Sequence, residues 1–342
     1  MRANPLVNIA LTQLYFSSPD YKNGTKHPMI QVQNLSKQYN PPTGIEAVKN
    51  ISFTIQPGEI FSLLGPNGAG KTTTISMLSC LLAPTSGDVL IDGHSIITAS
   101  KEVKQVIGLV PQEIALYPTI SAYENLAFWG KMYGLNGKKL KKRIAYVLDI
   151  ANLTDRANDK VETYSGGMKR RLNIAVGLIH EPKVLYMDEP TLGIDPQSRR
   201  GILDTLKSLN QAGLTVLYTT HYMEEAEELS DRIGIIDHGK LIALGTQEEL
   251  TRLVGEYNTI LLELDNHDLI DDLVNLSAPL PNVHRAYSQK GTLVLEAHEV
   301  NAVLPPIINY ATQVEGQIKR IEFREANLET VFLHLTGREL RD

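Results

Sequence analysis

GPNGAGKTT at Gly65–Thr73 sets three glycines, a lysine and two threonines in an order that can hold a phosphate. Gly65, Gly68 and Gly70 lack a Cβ, so the backbone can curl with its N–H groups pointing inward. Lys71 can reach β- and γ-phosphate oxygens, and Thr72 offers a hydroxyl to Mg²⁺. The spacing therefore predicts a nucleoside triphosphate site. A second candidate, Ser165-Gly166-Gly167, begins 92 residues after Thr73. Ser165 stands at the N-cap of a predicted helix over 167–180, where Leu172, Ala175, Val176 and Ile179 recur at i, i+3, i+4, i+7. Its N-terminus and hydroxyl could receive another phosphate.

These residues need elements to hold them. EIFSLL (Glu59–Leu64) is an apolar run of strand length before the glycine loop, and TTTISMLSCLL (Thr72–Leu82) reads as the following helix, with Cys80 on it as a small buried apolar residue. Strand, loop and helix put phosphate at a helix N-terminus. VLYMDEP (Val184–Pro190) is a predicted strand ending in Asp188 and Glu189. Gln112 follows the strand-like VIGLV, and His221 follows the buried-strand run LTVLYTT (Leu214–Thr220). Taken singly, each of these polar groups reads as an ordinary loop residue. Their company and order give them meaning.

In that order the motifs resemble the ATP-binding-cassette (ABC) ATPases, and the likeness covers roughly residues 29–250. The variant YSGGMKRR resembles the ATP-binding subunits of bacterial export systems of the daunorubicin-resistance type. Two positions depart from the commonest family pattern, Met168 in place of glutamine and Tyr164 in place of leucine; the Ser165-Gly166-Gly167 core is intact. The resemblance implies that Pro66, Asn67, Ala69 and Thr73 join the other loop residues around ATP, and that Tyr39 stacks on adenine. It implies that Asp188, Thr72 and Gln112 hold Mg²⁺, that Glu189 is the general base for the attacking water, and that His221 contacts the γ-phosphate. Gly193-Ile194-Asp195 would lie where two subunits meet, with Ser165–Gly167 touching ATP held by the other subunit. Two such chains, expected to be identical, would close on ATP and drive a separate membrane permease, with this chain peripheral at the cytoplasmic face of the cell membrane.

Composition agrees. The 342 residues suggest about two domains. Lys+Arg 33 against Asp+Glu 39 gives a net charge of −6 with no long charged tail, which argues against nucleic acid as a partner. Cys80 is the single cysteine, fitting a reducing compartment. No apolar run approaches the roughly 20 residues that cross a bilayer. Two alternatives share the phosphate-site residues: a soluble ABC ATPase acting on ribosomes or DNA, and an importer subunit with a C-terminal regulatory domain. One cassette without a coiled-coil heptad run or basic stripe speaks against the first. YSGGM, where importers usually read LSGGQ, speaks against the second.

The expected organisation is a disordered extension over 1–28, an ABC domain over 29–255 and an accessory domain over 256–342. The ABC domain is expected to be an α/β P-loop fold with a parallel core sheet, an antiparallel β layer and a helical subdomain. In that subdomain Ser121 and Glu124 form a capping box opening SAYENLAFWGKMYG. Phe128 and Met132 fall outside its apolar arc, under a neighbouring helix or in a permease groove. Lys138, Lys139, Lys141, Lys142 and Arg143 read as a solvated face, with anionic lipid as the alternative. From 256 onward the pattern β-α-β-β-α-β predicts a ferredoxin-like sandwich whose second helix, NAVLPPIINYATQVEG, is broken by its prolines. A closing helix follows Asn327, with Leu328, Val331, Phe332 and Leu335 on one face.

Overall fold

The computed structural model describes residues 27–41, 43–253, 258–266, 269–289, 291–297, 299–314, 316–324 and 327–336. Apart from His27 and Pro28, the extension expected over 1–28 lies outside the described residues. The chain divides into two compact units between Leu244 and Gly245.

The first unit runs β1 (Ile30–Gln38), β2 (Glu46–Ile55), β3 (Ile60–Leu64), α1 (Lys71–Leu78), β4 (Ser86–Ile91), β5 (His94–Ser95), α2 (Ser100–Val106), β6 (Ile107–Val110), α3 (Ala122–Met132), α4 (Gly137–Ile150), α5 (Gly166–Leu178), β7 (Val184–Asp188), α6 (Pro196–Gln211), β8 (Thr215–Thr220), α7 (Met223–Leu229), β9 (Arg232–Asp237) and β10 (Lys240–Gly245). β2-β1-β4-β5 form an antiparallel layer. The main sheet has the order β10-β9-β3-β8-β7-β6, and β3, β6, β7, β8 and β9 pair in parallel.

Every residue of β3, β7 and β8 is buried, as strands covered on both faces require. Their side chains alternate between two cores. Phe61, Leu63, Val184, Tyr186 and Leu217 face the antiparallel layer and α1, where Phe61 stacks on Phe53 at 5.1 Å. Ile60, Leu185, Met187, Val216 and Tyr218 face the helical subdomain and α6.

Local expectations meet several corrections. α1 stops at Leu78, so Cys80 is half-buried in the following turn with φ 55°, not on the helix. The Ser121–Glu124 capping box forms as read. Lys138, Lys139, Lys141 and Lys142 are exposed, but Arg143 leaves that face. It is 4% exposed and donates from Nε to Ile179 O (3.1 Å) and from Nη2 to Leu178 O (2.6 Å). It thereby satisfies carbonyls that the end of α5 leaves without helical partners.

The second unit contains α8 (Gln247–Arg252), β11 (Asn258–Leu264), α9 (Ile270–Ser277), β12 (Val283–Gln289), β13 (Thr292–Ala297), α10 (Val300–Gln313), β14 (Ile318–Arg324) and α11 (Leu328–Thr336). α8 falls within the 29–255 expected for the ABC domain, yet it packs with α11. The antiparallel order β12-β13-β11-β14, with α9 and α10 as its crossovers, is ferredoxin-like. α10 is continuous through Pro305 and Pro306. The ring at each proline costs a helical hydrogen bond, but Val303, Ile307 and Ala311 are wholly buried against the sheet and hold the helix together.

Candidate functional site

The glycine loop joins β3 to α1, and the sequence explains its path. Gly70, the N-cap of α1, has φ 110°, and a Cβ there would meet Ala47 O at 2.5 Å. No side chain caps this helix, so its first N–H groups are presented to an anion. Lys71 is 4% exposed; its Nζ donates to Gly65 O (2.6 Å) and Pro66 O (3.0 Å) and pairs with Glu189 Oε1 at 2.9 Å.

Two carboxylates emerge where β7 ends. Glu189 has φ 43°, a left-handed backbone unusual for a residue with a Cβ. It is fixed there by its N–H, which donates to Thr219 Oγ1 at 3.0 Å on β8. The Thr219 hydroxyl donates in turn to Asp188 Oδ1 at 2.7 Å. The second Glu189 oxygen, Oε2, accepts from His221 Nδ1 at 3.2 Å. Lys71, Glu189 and His221 are all buried, so a cation, a carboxylate and an imidazole form one desolvated chain beside the loop. Thr72, in the first turn of α1, lies near enough to the Asp188 carboxyl for its hydroxyl to favour the ionised form.

Burial pushes the Asp188 carboxyl above its ordinary range, against the lowering influence of the Thr219 and Thr72 hydroxyls and the Lys71 charge. A carboxyl raised by folding weakens the fold when ionised. That cost is absent below the unfolded value of about 3.9 and complete above the raised one. Asp188→Asn removes it. Without nucleotide, the melting temperature of Asp188→Asn should exceed that of the natural chain by a margin that widens as pH rises from about 4 to about 7, while ATP hydrolysis is lost. A margin that narrows with rising pH in thermal melts would sink this account.

Gln112 lies in the loop after β6, and the residue that holds this loop is Arg170 of α5. Arg170, 4% exposed, donates from Nη1 to Pro111 O (2.8 Å) and from Nη2 to Gln112 O (2.7 Å). Sequence reading missed Arg170, Thr219, Arg199 and Glu225. The signal for Arg170 was its place one turn from Gly167 and one from Ile174, on the buried stripe of α5. Ser165 caps α5 as expected, accepting from Met168 N at 3.2 Å. Tyr164 is buried, and its hydroxyl donates to Arg156 O at 2.6 Å, which accounts for a tyrosine where leucine is common. A Cβ on Gly167 would meet Ser198 Oγ at 2.2 Å and Asp195 Oδ2 at 3.6 Å, so this glycine lets the start of α5 approach that of α6. Asp195 caps α6, accepting from Ser198 N at 2.9 Å. Tyr39 is 42% exposed, with its hydroxyl 3.4 Å from Thr73 Oγ1.

The structure thus gathers Lys71, Thr72, Asp188, Glu189 and His221 in one cluster. It gathers Gly167 and Asp195 in another. Among the described residues, no hydrogen bond or ion pair joins Ser165, Gly166 or Gly167 to the phosphate loop.

The profile of the ABC transporter family matches residues 48–192. The linearmycin resistance ATP-binding protein of Bacillus subtilis is 48% identical over 314 residues, 92% of this chain and 100% of that protein. The chain belongs to the ABC transporter family. Other ABC relatives include a Nod factor export ATP-binding protein of Cupriavidus metallidurans (40% identical, 92% of this chain and 99% of that one). The doxorubicin resistance ATP-binding protein of Mycobacterium tuberculosis is 37% identical over 90% of this chain and 93% of its own length. Among solved structures, a dimeric ATP-binding cassette in a post-hydrolysis state with ADP and Pi aligns with 64% of this chain and 98% of its own at TM-score 0.58 and 31% identity. The chain is an ATP-hydrolysing, ATP-binding subunit of an ABC transporter, and its relatives are export and resistance subunits. No helix among its described residues is long and apolar enough to cross a membrane.

Proposed function

We propose that two copies of this chain bind ATP between them and that its hydrolysis drives outward transport through a separate membrane permease. The observation that carries this reading is Glu189, held between Lys71 and His221 beside the phosphate loop. The backbone from Gly65 to Thr73 and Lys71 bind the β- and γ-phosphates, and Tyr39 stacks on adenine. Glu189 takes the proton of the attacking water as it adds to the γ-phosphorus. His221 orients that water and the γ-phosphate. Ser165, Gly166 and Gly167 of each copy close on ATP held by the other, with Asp195 at the seam.

The hard oxygen donors of Thr72 and Asp188, close together beside the phosphate loop, fit Mg²⁺, and Gln112 would complete the protein's share. When bound, Mg²⁺ neutralises charge on the β- and γ-phosphate oxygens.

The permease docks on the helical subdomain and holds this chain, peripheral to the membrane, at its cytoplasmic face. Tyr117, Phe128 and Met132 support this surface. They are 45%, 39% and 69% exposed, and Tyr117 and Phe128 meet edge to face at 5.0 Å. The cassette over 29–255 supplies all the chemistry, and the domain over 256–342 is accessory to it.

Copurification tests the assignment. The tagged full chain, extracted from membranes in detergent, should bring down a multi-spanning membrane protein. Phe128→Asp combined with Met132→Glu should release that partner while the free subunit keeps its ATPase rate within about twofold, since neither residue touches the phosphate cluster. Recovery of ribosomes or DNA in place of a membrane protein would refute the transport reading.

A further inference from the structure

Behind His221 lies a buried charge that the chemistry above does not use. Glu225 of α7 is 2% exposed. Its Oε2 accepts from Tyr218 Oη at 2.8 Å and from Thr220 Oγ1 at 2.9 Å, two residues that share one face of β8. Its Oε1 faces Arg199 Nε at 3.5 Å. A carboxylate so deeply desolvated persists only with such partners.

The contacts reach His221 by two routes. Along the backbone, Thr220 Oγ1 also accepts from Tyr222 N at 2.9 Å, so the carboxylate fixes the residues on both sides of His221. Through the rings, the Arg199 guanidinium lies 4.5 Å from the Tyr222 ring centre, and Tyr222 lies 4.1 Å from the His221 ring. Arg199 itself rises from the first turns of α6, the helix that Asp195 caps. Thr191, on the way to that cap, has its hydroxyl 3.5 Å from Tyr218 Oη.

We propose that Arg199 and Glu225 are positioning residues for hydrolysis: they set the His221 ring against Glu189 and make that setting depend on α6 and the Gly193–Asp195 loop. The inference rests on the roles assigned to His221 and Glu189.

The test uses the full chain carrying Arg199→Met, Arg199→Lys or Glu225→Gln, with kcat, ATP Kd and melting temperature measured for each. Arg199→Met and Glu225→Gln should lower kcat about tenfold or more while ATP Kd stays within about twofold, and Arg199→Lys should restore kcat to within about threefold. A purely structural pair would move Kd and melting temperature together with kcat. The proposal is overturned if kcat in both uncharged variants stays within about twofold of the natural chain, or if its loss tracks the loss of ATP binding. Should Glu225→Gln fail to fold, Arg199→Met decides, because Arg199 is 30% exposed and stands outside the core. Glu189→Gln is run in parallel. Retained turnover there would defeat the hydrolytic reading itself, whereas an inactive Glu189→Gln beside a fully active Arg199→Met would defeat only the positioning role.

Discussion

Glu189→Gln should turn over ATP about a thousandfold more slowly than the natural chain while binding it as tightly. The amide preserves the shape of the side chain. Its carbonyl oxygen can still accept from Lys71 Nζ, the group at 2.9 Å, while its NH2, in place of the other oxygen, can donate to His221 Nδ1, at 3.2 Å, in the imidazole's other tautomer. What it loses is the capacity to take a proton from water. Its backbone N–H keeps the bond to Thr219, so the left-handed turn at 189 is retained. On the proposed mechanism, with opening dependent on hydrolysis, the variant should accumulate as an ATP-bound dimer, visible by size-exclusion chromatography with ATP and Mg²⁺ and absent with ADP. Steady-state turnover near the natural rate would remove Glu189 from the role of base.

Ser165→Arg should separate binding from assembly. Ser165 is exposed, and its own contacts lie within the start of α5, where it caps Met168 N. Losing the cap costs about 1 kcal/mol, tolerable for a domain of this size. The bound pair of phosphate oxygens expected from the second chain, however, would meet a bulky side chain at the mouth of the helix. ATP affinity of the monomer, measured with a fluorescent analogue, should stay within about threefold. ATP-driven dimerisation and hydrolysis should both fall below detection. Full hydrolysis by a demonstrably monomeric Ser165→Arg chain would contradict a shared site.

Much of this was legible in the sequence because local rules and tertiary demands agree. The phosphate loop sits between strand and helix where its spacing said it would, and the Ser121–Glu124 capping box forms as written. The ferredoxin-like order of the C-terminal sheet followed from alternation alone. The prolines of α10 misled because packing of Val303, Ile307 and Ala311 outweighs two missing hydrogen bonds. Cys80 misled because an apolar run does not announce where a helix stops. Arg143 was read as part of a solvated face and Arg170 and Glu225 were not singled out, yet all three are buried. Each is buried against carbonyls or hydroxyls contributed by segments distant in the chain or in the next element, and one-dimensional patterning carries no record of such partners. The cluster of Lys71, Glu189 and His221 was named in full, but its bonding, with Glu189 shared between the other two, belongs to three dimensions.

Strands β3, β7 and β8 each lend alternate side chains to two different cores. That arrangement governs where the chain can grow or shrink over evolutionary time. One residue inserted within β7 would exchange Tyr186 and Met187 between cores and turn Asp188 away from Thr219 and Thr72. Neither core could relax to absorb the change, since the same backbone is the wall of both. Insertions and deletions are therefore tolerable only in the connections between these strands, and the distance from each strand to its catalytic end is held fixed by packing rather than by the chemistry it serves.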